Sequence, residues 1–373
     1  MIFSRRARWA IAAIAVVSQA LAATGQATAT LRGREARAIT VERADVSGVV
    51  ANVADTPVLL TWDRVRSLEG ADDPAIGAYA AAGEALWRGI ERLDRGDPIA
   101  ALVVLETAFE TFENEPGPTA RLAADALLTA RLTLGEAEAS VVPWLHALER
   151  ETTVIGPIAP RRTQIDYEWG LIAELAPVFV PSRIAARVAA DVAADDFERW
   201  TVGPNKRLAE VYASALLLAA GQSPPPLDWD PPTEGVRLAR AMVEARSNDP
   251  RRRAAAREEL RAFVSDDARP WVRAWSHAGI GLSLLAESEG ERLAGIGHLL
   301  VVPSVYGEAQ PYLAGVCLAE AAQALADAGR TDDAARLLDT LTRIAPRHPA
   351  LALPSLRGIR AISAPTQTNG IGS

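Results

Sequence analysis

The 373-residue chain contains one cysteine, two methionines and four histidines, and only 5% of it is aromatic. A single cysteine, Cys317, excludes an internal disulfide, and without a CxxC or Cys/His cluster there is no thiolate zinc site. Positive charge is also short, with 39 bases against 47 acids and a net charge of −8. A nucleic-acid binder needs a basic surface to displace counterions from phosphate, so that class is excluded. One lysine, Lys206, stands among the bases, a coding preference for arginine with no mechanistic content. Catalytic signatures are missing too: no HExxH, no GxSxG, no phosphate loop and no GxGxxG after a strand. No stretch beyond the N-terminus reaches 18 uninterrupted apolar residues, so none is expected to span a membrane.

What is present is ordinary globular composition, 49% apolar and 23% charged, which rules out a mostly disordered chain. The start is an address label. Arg5, Arg6 and Arg8 precede an apolar run from Trp9 to Ala22 that ends in Ala20-Leu21-Ala22, the pattern of a secretory signal cleaved after Ala22. A permanent anchor is the rival reading. Those fourteen residues would span about 21 Å as a helix, short of the ~30 Å hydrocarbon layer. Removing residues 1–22 leaves 36 bases against the same 47 acids, and an exported, periplasmic or secreted protein is expected.

Residues 23–37 read as a flexible lead-in. Residues 38–68 change texture to short β-rich runs at Ile39–Val41, Val49–Val53 and Val58–Trp62, separated by turn residues. They predict a small meander that is marginal alone and caps the following helices or offers an edge strand to another chain. From Asp73 to about Gly358 the chain is rich in alanine and leucine at helical spacing. Helix–glycine junctions fall at Gly96, Gly135, Gly221, Gly290 and Gly329. Residues 152–165 interrupt this pattern as a loop, followed by an apolar stretch from Trp169 to Val180 that is broken by Pro177. Residues 222–232 hold five prolines and must be extended, which predicts a linker over 221–233 between helical halves at 73–220 and 234–360. The tail, 361–373, is expected to be disordered.

The clearest local unit lies near the end. Leu318, Ala322 and Leu325 share a helix face, Gly329 stops that helix, and Ala334, Leu338 and Leu341 line a second helix before Pro346. Gly329 predicts a left-handed C-cap, Thr331 a cap for the next helix, and Asp332 and Asp333 favour its positive end. With Gly315 as the first of 34 positions, this unit resembles the tetratricopeptide repeat. Trp275, Ala278, Gly279 and Leu282 reproduce part of the motif one unit earlier, and Leu86, Gly89, Ile90, Leu93, Ala101, Leu105 and Ala108 do so with a shift of about one residue.

The resemblance implies a mainly α fold, an α-α superhelix of about five to seven hairpins behind the small β-rich segment, and a concave groove lined by the first helix of each pair. It implies binding of a protein or peptide partner there, with Arg273, Ser276, Val316, Ala319 and Gln323 facing the groove. The function expected is a non-catalytic exported scaffold or adaptor with no cofactor and no metal, its partner unidentified. An enzyme with a site between the helical halves, near 169–180 and 224–232, is the alternative. A membrane-tethered adaptor with an uncleaved signal and packing within a larger assembly also remain open.

Other reactive residues have plainer readings. His146 and Glu149 stand three apart on one helix, and His277 and His298 meet if their hairpins stack. Either pair is half a metal site at most, against surface or core histidine. Cys317 next to Leu318 reads as a buried structural thiol. Arg251, Arg252 and Arg253, with Arg257 and Arg261, form the most basic local surface, either a solvated helix face or a patch for an anionic polymer or lipid.

Overall fold

The computed structural model describes residues 27–32, 38–53, 56–70, 73–149, 165–166, 168–265 and 268–363. Residues 1–22, residues 152–164 of the expected loop and residues 364–373 of the expected tail lie outside these residues, whereas 165 stands in a strand and 361–363 in a helix. Five strands come first: β1 (Thr28–Leu31), β2 (Ala38–Asp45), β3 (Gly48–Val53), β4 (Thr56–Leu60) and β5 (Val65–Glu69). They form one antiparallel sheet in the order β4-β3-β2-β1-β5. The expected meander is therefore larger. The expected lead-in supplies β1, which pairs with both β2 and β5. A strand of four small residues carries little local signal, and pairing on both sides makes it a strand.

The sheet packs on the helices that follow. Trp62, fully buried in a single 3-10 turn between β4 and β5, donates its ring Nε1 to the Asp45 carbonyl (2.9 Å) and its backbone N–H to the Thr119 hydroxyl (3.2 Å). Thr119 in turn donates to the Ser47 carbonyl (2.7 Å). Residues from distant parts of the chain thus clamp the sheet.

Among the described residues, thirteen helices follow. They pair as six hairpins: α1 (Pro74–Asp94) with α2 (Pro98–Phe112), α3 (Pro118–Leu134) with α4 (Ala137–Glu149), α5 (Ala185–Val192) with α6 (Asn205–Ala219), α7 (Glu234–Glu244) with α8 (Pro250–Ala262), α9 (Pro270–Leu285) with α10 (Glu289–Val305), and α11 (Pro311–Asp327) with α12 (Thr331–Ile344). Helix α13 (Pro354–Ser363) closes the stack, which bears out the mainly α architecture of sequential hairpins behind a small sheet.

Local chemistry sets many of the ends. Proline opens α1, α2, α3, α8, α9 and α11, where its missing N–H has no partner to lose. Gly96, Gly135, Gly221 and Gly329 hold positive φ between 72° and 76° just past helix ends, as the left-handed cap requires. Gly290 differs: it lies inside the first turn of α10. Thr331 also differs, being the first residue of α12, with Arg330 at the cap position and Asp332 and Asp333 in the first turn. Pro303 sits within α10.

Two apolar clusters hold the molecule. One joins the sheet to α1, α2 and α3; the other runs from α3 and α4 to α13. Helix α3 faces both and is buried nearly all round. The second cluster continues beneath the proline segment, where Leu227 is buried and the Trp229 carbonyl accepts from Arg240 Nη1 (2.7 Å). Asp228 pairs with Arg252 (2.7 Å). The stretch 221–233 is accordingly a strap fastened across α6, α7 and α8, and one core spans both sides of it. No helix among the described residues is long and apolar enough to cross a membrane.

Candidate functional site

Helices α7, α9, α11 and α13 touch one another in succession and present the face where a groove is expected. The chain itself fills much of that face. Strands β6 (Ile165–Asp166) and β7 (Leu171–Ile172) form a short ladder, and the chain then runs on through Leu175, Val178, Phe179 and Val180, all buried. This is the apolar stretch interrupted by Pro177, and it crosses the helices in order. The Trp169 backbone presses on Gly235 of α7, where an added Cβ would meet the Trp169 oxygen at 1.8 Å. Trp169 also meets Trp271 of α9 edge-on at 5.5 Å between ring centroids.

Further along, Trp275 Nε1 of α9 donates to the Ala173 carbonyl (3.0 Å), and Tyr212 of α6 donates its O–H to the Leu175 carbonyl (2.5 Å). Val180 N–H donates to the Tyr312 hydroxyl of α11 (3.1 Å). At the segment's start Arg269 forms ion pairs with Asp166 and Glu168. An extended backbone buried without strand partners must satisfy its polar groups elsewhere, and these side chains supply the bonds. Burial raises the Tyr212 and Tyr312 hydroxyls well above their ordinary range, so both stay protonated as bond donors or acceptors.

This packing decides where the five expected contact residues stand. Ser276, Val316 and Ala319 are buried in the helical core, and Ser276 returns its hydroxyl to the Val272 carbonyl within α9 (2.8 Å). A partner resting on the surface does not reach these three. Arg273 and Gln323 are partly exposed. Arg273 lies over the Tyr306 ring, 5.8 Å from its centroid, and Gln323 donates to Asp327 (2.8 Å). The residues that grip the segment, Trp271, Trp275, Tyr212 and Tyr312, were absent from the expected set. The i, i+4 spacing of Trp271 and Trp275 on one helix face was their only sequence signal.

The two histidine pairs separate. His277 of α9 and His298 of α10 do meet, with Nδ1 atoms 3.0 Å apart and ring centroids 5.2 Å apart. The nitrogens therefore face each other nearly head-on and share a hydrogen bond. A metal would instead need both lone pairs to converge on one point about 2.0–2.1 Å from each nitrogen. Burial lowers the basicity of both rings first. The facing imidazole and Arg273 add to this at His277, as does Arg261 at His298. His146 and Glu149 point to different tasks. His146 is buried between Phe109 and Trp200, with Glu113 at 3.5 Å, whereas Glu149 accepts from Thr201, Val202 and Asn205. Four bonds to the ionised form outweigh partial burial and lower the Glu149 carboxyl below its usual range.

Cys317 is buried in α11, and its thiol is pushed above the ordinary thiol range, which keeps it protonated and unreactive. The arginine run is largely neutralised. Arg252 meets Asp228, Glu244 and Asp249, Arg253 and Arg257 share Glu287, and Arg261 pairs with Glu258. Glu138 of α4 is buried, and desolvation raises its carboxyl to about 6. Among the described residues no group of three or more His, Cys, Asp or Glu side chains is arranged to hold a metal ion. No protein family, curated protein or solved structure matches the chain.

Proposed function

We propose that the protein is an exported, non-catalytic scaffold of the tetratricopeptide type that holds a partner protein or peptide. One observation carries the reading. The face of α7, α9 and α11 already seats an extended apolar segment by side-chain bonds to its backbone, the mode in which a helical-repeat groove holds a peptide. The chain supplies that segment in cis, so a partner engages what the segment leaves accessible, including Arg273 and Gln323. The signal-like start and the repeat spacing around Gly315 to Pro346 support export and the repeat type.

The test is capture of partners from a cell-envelope extract by the chain beginning at Ala23, beside an Arg273→Glu, Gln323→Glu variant. A protein retained by the parent and lost from the variant supports the scaffold reading. Equal retention by both removes these two residues from the contact. Retention by neither overturns the reading.

A further inference from the structure

A separate site lies away from the filled face. Between α5, α6 and the proline strap the surface opens into a cleft of about 590 Å³, within the size range of small-molecule sites. Its floor is almost pure hydrocarbon: Ala186, Ala190 and Ala193 from α5 and its end, with Ala213 and Leu217 from α6. Ser214 also lines it, but its hydroxyl already donates to the Glu210 carbonyl (2.9 Å) and has no proton left for a ligand. Methyl groups on both helices leave room for a slender chain, and this largely apolar lining, whose other polar side chains are Gln222 and the Arg207–Glu210 pair, penalises a polar group laid on the alanines.

The walls and rim are more specific. Phe197 and Trp229 stand along the cleft. Arg207 and Arg240 both lie over the Trp229 ring, at 4.7 and 5.9 Å from its centroid. Arg207 Nη1 gives both of its hydrogen bonds to Glu210, at 2.8 and 3.1 Å. Ring and carboxylate together fix the guanidinium plane. Nε and Nη2 donate to no other described residue, and such a pair is the fork that takes a carboxylate bidentately.

We propose that this cleft binds an amphiphile with one unbranched aliphatic chain and a carboxylate head, the chain on the alanine floor and the head on the free edge of Arg207. The proposal is independent of the scaffold reading. Its test is calorimetric titration of the full chain with octanoate, decanoate and dodecanoate below their micellar concentrations. Binding should be one to one and tighten about fourfold for each methylene that enters the cleft. Arg207→Gln should weaken decanoate about tenfold and leave decanol unchanged.

Ala190→Trp, at an exposed position where folding is not at stake, should abolish binding, and Ala186→Trp serves as a second plug. Several results overturn the proposal: no saturable binding of dodecanoate, affinity independent of chain length, or binding untouched by both plugs. An acetylated apolar hexapeptide that binds where the alkanoates do not would assign the cleft to a polypeptide and overturn it as well. Equal affinity for decanoate in the parent and Arg207→Gln would overturn the role of the head group.

Discussion

The seating of residues 168–181 makes a prediction whose sign runs against the usual rule for glycine. Replacing glycine by alanine in an exposed helix commonly stabilises by about 1 kcal/mol. At Gly235, near the start of α7, the new Cβ would lie 1.8 Å from the Trp169 oxygen, 2.8 Å from its carbonyl carbon and 3.2 Å from its Cα. All three are backbone atoms, so no side-chain rotation relieves the clash, and overpacking of this kind costs roughly 1–3 kcal/mol. At the upper end of that range, Gly235→Ala should lose about 2 kcal/mol after the helical gain is subtracted.

The loss should be local in origin. Lifting Trp169 off α7 also separates it from Trp271 and Phe263, now 5.5 and 5.8 Å away, and loosens the Ala173 carbonyl from Trp275. The assay is urea unfolding with near-ultraviolet circular dichroism, with proteolytic cutting within 165–181 as a second readout. Gly297→Ala in the middle of α10 is the control, because nothing lies within 4 Å of its added Cβ, and it should gain stability. If Gly235→Ala is as stable as the parent and its aromatic spectrum is unchanged, the segment does not lie on α7 and the account of the filled face fails.

Two further outcomes concern titration. His277 and His298 are less basic in the fold than in the unfolded chain, whose imidazoles titrate near 6.5. The unfolded chain therefore takes up protons first as pH falls. Their contribution is complete above about pH 6.5 and is lost as pH drops through the folded values. Unfolding midpoints at pH 7.5 and 5.5 should show this loss, and His277→Gln with His298→Gln should flatten most of it. His348, also made less basic by burial, leaves a residual slope of the same sign. An unchanged slope in the double variant would discount the pair.

Glu138 acts in the opposite direction, since its carboxyl is raised to about 6 and its ionised form is the unfavourable one in the fold. Ionisation at neutral pH costs about 2 kcal/mol on that shift, and the helix-start position of the charge returns roughly 0.3–1 kcal/mol. Glu138→Gln should stabilise by about 1 kcal/mol at pH 7.5 and by little at pH 5. Destabilisation at pH 7.5 would mean that the carboxylate has a partner worth more than its burial.

Much of the helical part was legible because its signals are local. Gly329, Pro346 and the spacing of Leu318, Ala322 and Leu325 lie within a few turns of one another, and the hairpin they predict is the hairpin that forms. Thr28–Leu31 was not legible, because a strand of small residues is specified by its neighbours on both sides. Three of the five groove residues, Ser276, Val316 and Ala319, are buried for a related reason. Repeat register names the helix face, but it is silent about what else in the chain covers that face.

The sequence by itself determined the mainly α character and many of the breaks between helices. Helix periodicity, caps and composition act over a few residues and need no partner. Only the tertiary structure decided that residues 168–181 cover the face where a groove is expected, that the proline stretch is a strap over one continuous core, and that the Nδ1 atoms of His277 and His298 meet within hydrogen-bond distance. Those outcomes join residues 11 to 132 positions apart. Contacts at that separation depend on how hairpins stack, and a local pattern of side chains does not encode which distant surface will exclude water best.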